Sequence, residues 1–121
     1  MMTPRYGSNH ESKISARSGA LGLPRGGGTS QCGQTVGAAL VIDSSKYLNQ
    51  IVSFDKDART VCVQPGMVLD TLNAWLKTYG LWYPDDVLTS RQATLVGMDV
   101  TNSCGSSSLR YGIMLHNVRR I

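Results

Sequence analysis

The sequence predicts a mixed fold, α+β or open α/β. Three features carry that prediction: apolar runs of strand length, one segment with clear helical periodicity, and long Gly/Ser-rich loops between them. The chain has 121 residues, 41% of them hydrophobic and 17% charged, which fits one ordinary globular domain and argues against a disordered chain.

Residues 1–20 are polar and lack apolar periodicity, so they read as an N-terminal arm ahead of a domain over residues 21–121. Leu21 to Pro24 reads as the end of a short strand. Arg25 to Gly37 is rich in Gly, Ser and Thr and reads as a long loop with tight backbone turns. Ala38 to Asp43 is a short apolar run, expected as a buried strand, and Ser44 to Leu48 as one helical turn. Gln50 to Phe54 and Thr60 to Gln64 flank the polar turn Asp55 to Arg59, which predicts an antiparallel hairpin ended by Pro65-Gly66.

Met67 to Tyr79 is the clearest helix. Val68, Leu69, Leu72, Trp75, Leu76 and Tyr79 follow helical spacing, and Gly80 suits a C-cap. Leu81 to Pro84 reads as extended, Asp85 to Arg91 as a polar loop, and Ala93 to Asn102 as a short helix. Gly105 to Gly112 reads as flexible, and Ile113 to Val118 as the start of another strand.

Charge and cysteine usage exclude several functions. The net charge of +4 comes from bases near the two ends, while acids outnumber bases between residues 26 and 109. No basic run is dense enough for a nucleic-acid arm. Cys32, Cys62 and Cys104 form no CxxC, and with only His10 and His116 beside them no metal site is expected. There is no signal-peptide pattern and no apolar run long enough for a transmembrane helix, so a cytoplasmic chain is expected.

The sharpest local signal is Arg25-Gly26-Gly27-Gly28-Thr29-Ser30. Consecutive glycines let the backbone turn its N–H groups inward, and such a nest suits a phosphate oxygen. Thr29 and Ser30 add hydroxyl donors. The dinucleotide pattern GxGxxG fails here because Gln31 stands three residues after Gly28. A P-loop pattern from Gly28 fails because Gln34 stands where a lysine must reach the phosphates.

Several segments together resemble one family. Pro24 to Ser30 followed by Gly33-Gln34-Thr35 is similar to the pyrophosphate loop of the PCMH-type FAD-binding domain, shared by vanillyl-alcohol oxidase, p-cresol methylhydroxylase, glycolate oxidase and D-lactate dehydrogenase. Leu40 to Asp43, Val63 to Gly66, the Leu69/Leu72/Asn73 helix and Gly80 to Pro84 resemble the elements that follow. Ala93 to Met98 resembles that family's Ala-Thr-Ile-Gly-Gly-Met segment. Asn102 to Gly105 with Ser108 to Gly112 resembles the glycolate oxidase/D-lactate dehydrogenase branch.

The resemblance implies an incomplete FAD domain of two small α/β subdomains with the cofactor between them. It implies that Arg25, Gly26, Gly27, Gly28, Thr29 and Ser30 hold the pyrophosphate, that Gly33 and Gln34 continue the contact, and that Pro84, Asp86 and Ser90 lie along the cofactor. Thr94, Gly97, Asn102, Ser103 and Gly105 form the second wall. The resemblance further implies that FAD carries the redox chemistry, taking a hydride from a 2-hydroxy acid. The catalytic residues belong to a separate substrate domain, supplied by a longer chain or a partner, so no catalytic residue is expected here.

Some residues depart from the family pattern. The opening strand is not visible in residues 1–20, and the chain stops at Ile121 before the later strands. Val96 stands at a family glycine, Thr101 at an asparagine, and Asp99 brings a carboxylate that would repel a pyrophosphate if it faced one. The alternative reading is a non-catalytic remnant or interaction module of the same fold that no longer holds FAD tightly.

Overall fold

The structure, a computed structural model, describes Gly19 and residues 21–121. Apart from Gly19, the arm expected over residues 1–20 lies outside the described residues. The described residues form four short strands and four helices, a mixed fold as the sequence predicts.

Strands β1 (Gly22–Arg25) and β2 (Leu40–Asp43) pair in parallel, with Arg25 opposite Asp43 at their carboxyl ends. A parallel pair needs a long connection, and residues 26–39 supply it. The pair is not the buried strand layer the sequence suggests: Leu40 and Val41 are 40% and 37% exposed. Among the described residues only two strands make this sheet, so its apolar side chains are left uncovered.

Strands β3 (Ile51–Asp55) and β4 (Thr60–Val63) form the expected antiparallel hairpin, with a bulge between Ile51 and Ser53. The Gly66 turn joins this hairpin to the first sheet. Gly66 N–H donates to the Leu48 carbonyl at 2.7 Å, and any Cβ at Gly66 would strike the Ser44 carbonyl.

Helix α1 (Leu69–Lys77) buries Leu69, Leu72 and Leu76 on one stripe. Those side chains meet Met67, Ala93, Leu95, Met98 and Met114 in the core, with Phe54, Val61 and Val63 of the hairpin packed beside them. Trp75 and Tyr79 clasp Phe54 at ring distances of 5.0 and 4.8 Å. The helix starts later than its periodicity because Val68 is extended and bridges to Thr94. It has no side-chain cap. Instead the Ala93 and Ser90 carbonyls accept the Leu69 and Asp70 amides at 3.1 and 3.2 Å. Gly80, at φ 71°, closes the helix in a Schellman pattern through Gly80 N–H to Lys77 and Leu81 N–H to Leu76.

Beyond α1 the chain runs extended, tethered where Asn73 Oδ1 accepts the Tyr83 amide at 2.6 Å. Helices α2 (Leu95–Val100), α3 (Ser108–Tyr111) and α4 (Met114–Asn117) follow. Two expectations are corrected here. Gly105 to Gly112 is not merely flexible, since it contains α3. Ile113 to Val118 is not a strand but contains α4, where Asn102 Oδ1 and His116 Nδ1 accept the Leu115 and Ile113 amides. A short apolar run fits either structure until its polar partners are known.

Candidate functional site

Ligands of open parallel sheets bind beyond the carboxyl ends of the strands. Here that position holds the loop that begins at Gly26. The loop is anchored at its root. Arg25 Nη2 donates to Asp43 Oδ2 at 3.0 Å, and Ser44 N–H donates to the Arg25 carbonyl at 3.0 Å. The Ser45 hydroxyl and amide both donate to Asp43 Oδ1, at 2.6 and 2.8 Å. The Ser45 hydroxyl above all, then Arg25, hold the Asp43 carboxyl down at about 2. Arg25 is therefore an ion-pair partner at the root of the loop, with guanidinium donors left over.

The loop itself is rich in free donors. No backbone amide from Gly26 to Thr35 finds an acceptor among the described residues. Gly28 and Gly33 adopt left-handed conformations at φ 65° and 81°, which a side chain resists. Unpaired amides turned by left-handed glycines are the elements of an anion nest.

A second segment closes on this loop. A Cβ at Gly26 would collide with the Thr94 hydroxyl, and one at Gly27 with the Gln92 carbonyl. Thr94 is 1% exposed, and its hydroxyl oxygen is buried without a partner. Gly97 lies on its other side, where a Cβ would stand 3.1 Å from the same oxygen. Thr94, Gly97 and the triple-glycine turn therefore share one place.

The remaining candidates are distributed around it. Pro84 and Ser90 are half-buried on the stretch leading to Thr94. Asn102, at φ 47°, directs its side chain to the Leu115 amide at 3.1 Å. The Ser103 hydroxyl pairs with Thr101 at 2.9 Å. Gly105 presses against Asp86, whose carboxylate accepts from Ser106 and Ser107. Those bonds, the Ser106 hydroxyl first and then the Ser107 amide, lower the Asp86 pKa. Thr29, Ser30, Gly33 and Gln34 complete the loop without intrachain side-chain bonds among the described residues.

Val96 lies in α2 and is not among the residues with positive φ, so a β-branched side chain at this family-glycine position meets no backbone conflict. Asp99 stands close enough to Tyr83 to act on its hydroxyl. Burial first, then Asp85 and Asp99, push that hydroxyl up to about 12.

Sequence reasoning missed two carboxylates. Asp43 carries an Asp-Ser-Ser turn signal that could have pointed to it. Asp85 is 2% exposed, and neither of its oxygens has a partner of good geometry. Burial, the largest effect, raises its pKa; a weak contact with the Asp86 amide opposes the rise, and the charge of Asp86 adds to it. Among the described residues no group of acidic, His or Cys side chains is placed to hold a metal ion, and no helix is long and apolar enough to cross a membrane.

A donor-rich glycine turn at the carboxyl end of a parallel pair, walled by a second segment, defines a nucleotide-cofactor domain. Residues 11–121 match the family described as FAD binding domain, and the chain belongs to that family. It is similar to D-2-hydroxyglutarate dehydrogenase of Pantoea ananatis, 42% identical over 89 residues, which are 74% of this chain and 9% of that protein. It is also similar to glycolate oxidase subunit GlcD of Bacillus subtilis, 38% identical over 96 residues, 75% of this chain and 20% of that one. A third relative is the mitochondrial D-lactate dehydrogenase (cytochrome) of Kluyveromyces lactis, 38% identical over 104 residues, 82% of this chain and 18% of the relative. The chain thus spans between 9% and 20% of these relatives. Among solved structures it superposes on alkyldihydroxyacetonephosphate synthase with a TM-score of 0.72 and 25% identity, over 86% of this chain and 23% of that one. The resemblance to the PCMH-type FAD-binding domain is thereby borne out.

Proposed function

We propose that this chain is the FAD-binding portion of a flavin-dependent oxidoreductase acting on a 2-hydroxy acid in the cytoplasm. The amide run from Gly26 to Thr35, unpaired among the described residues, carries the reading, because it offers the donors a pyrophosphate needs. The buried, unpartnered Thr94 hydroxyl beside Gly26 and Gly97 supports the fit.

In this reading Arg25 and residues 26–30 hold the pyrophosphate, Gly33 and Gln34 extend that contact, and Pro84 and Ser90 run along the cofactor. Thr94, Gly97, Asn102, Ser103 and Gly105 form the facing wall. Bound FAD supplies the acceptor for a hydride from the substrate carbon. The residues of this chain bind and orient the cofactor and keep water from its linker. The groups that hold the substrate come from a further domain or a partner chain. Three relatives whose names include a 2-hydroxy acid dehydrogenase or oxidase favour that substrate class.

The test compares two flavins. The protein is expected to bind FAD tightly and FMN, which lacks the pyrophosphate linker, far more weakly. Equal affinity for the two would contradict a pyrophosphate cradle.

A further inference from the structure

Residues 81–87 form neither helix nor strand, and burial sorts their side chains. Tyr83 and Asp85 turn inward, while Trp82 is largely exposed. This stretch holds the following segment at three places. Trp82 stacks edge-on against Tyr111 of α3 at 5.1 Å. The Tyr83 hydroxyl donates to the Met114 sulfur of α4 at 3.2 Å. Asp86 accepts from the Ser106 hydroxyl at 2.6 Å and from the Ser107 amide at 3.0 Å to each oxygen.

The Asp86 tie is the most demanding sterically. Gly105 lies so close that a Cβ there would strike both the carboxylate and the backbone carbonyl of Asp86. The Gly105 amide in turn donates to the Ser108 hydroxyl at 2.9 Å, closing the turn that starts α3. A carboxylate aimed at a dianionic linker would repel it. This one is engaged by donors of its own chain instead.

We infer that Asp86 is a positioning residue of the cradle: it fixes the turn at residues 105–107, and with it the Gly105 wall, without touching the cofactor. The inference rests on the FAD reading above. Ser106, which is exposed, is the outer half of the tie and is a milder place to break it.

The experiment pairs two readouts on the intact chain. Hydrogen exchange of residues 105–112 is measured without flavin, and FAD affinity is measured by titration, for wild type, Asp86→Ala, Asp86→Asn and Ser106→Ala. Asp86→Ala is expected to speed exchange and to weaken FAD, each by about tenfold or more, the scale of lost charge-assisted hydrogen bonds. Asp86→Asn, which keeps one acceptor, and Ser106→Ala shift both readouts in the same direction by less, and they decide the matter if the alanine variant does not fold. Protection of residues 105–112, taken relative to the intrinsic exchange rate at each pH, falls in wild type only below the ordinary carboxylate range, and this acid limb is absent in Asp86→Asn. Weaker FAD binding with unchanged flavin-free exchange would mean that Asp86 contacts the cofactor, and would overturn the inference. Faster exchange with unchanged affinity would overturn it as well. Wild-type protein that takes up no FAD would sink the cofactor reading and this role with it.

Discussion

Gly26→Ala tests the cradle at its tightest point. The new methyl would overlap the Thr94 hydroxyl and stand 3.2 and 3.4 Å from Thr94 Cβ and Cγ2. Thr94 is enclosed at 1% exposure, so the backbone must separate instead. Overpacking of this kind costs about 1–3 kcal/mol. In the free protein the loop can lift away cheaply, because no amide from Gly26 to Thr35 is bonded within the described chain. The cost then appears on binding, as a loss in FAD affinity of about 5- to 150-fold. Two further variants grade the effect. Gly28→Ala adds a side chain at φ 65° and weakens binding by about 5- to 30-fold, from a left-handed penalty of about 1–2 kcal/mol. Gly37→Ala meets nothing within 4 Å and leaves binding unchanged. Flavin fluorescence titration measures affinity, and thermal melts by circular dichroism confirm folding. Wild-type affinity in Gly26→Ala, or an equal loss in Gly37→Ala, would refute the reasoning.

Other outcomes follow from the same geometry. Asp85→Val removes a buried carboxylate that has no partner of good geometry among the described residues and stabilises the fold at neutral pH by about 1 kcal/mol or more in urea unfolding; destabilisation there would show that the contact with the Asp86 amide is a strong one. The raised Asp85 pKa means the folded state binds that proton more tightly, so its contribution to stability is lost as pH rises through the folded value. Asp43, held at about 2, and the lowered Asp86 act oppositely: their contributions are full above 3.8 and lost as pH falls. The urea midpoint should therefore peak in mild acid, and a steady fall from neutral pH downward would contradict this. Leu72→Ala empties a fully buried site on α1 and costs about 2–5 kcal/mol of stability, read from the same unfolding curves.

Much of this was legible in the residues. The α1 stripe, the hairpin and the glycine turn each follow from local chemistry, namely helical spacing, a polar turn between apolar runs, and adjacent glycines. Their order along the chain matched the family where no single motif did. What stayed hidden depends on partners distant in sequence. The exposure of β2 reflects which elements cover the sheet, and an apolar run cannot show that. The helix at Met114–Asn117 depends on Asn102, and the turn at 105–107 depends on Asp86. The burial of Asp85 was hidden because two adjacent aspartates look alike until the fold buries one and gives the other donors from residues 106 and 107.

The most direct test of the central claim is the visible spectrum of the protein after saturation with FAD and removal of free cofactor. A flavin absorption band near one FAD per chain is the predicted result, showing that the turn from Gly26 to Ser30 and the wall around Thr94 close on the cofactor. Colourless protein that is folded by circular dichroism would contradict it, leaving the fold of this family without its cofactor.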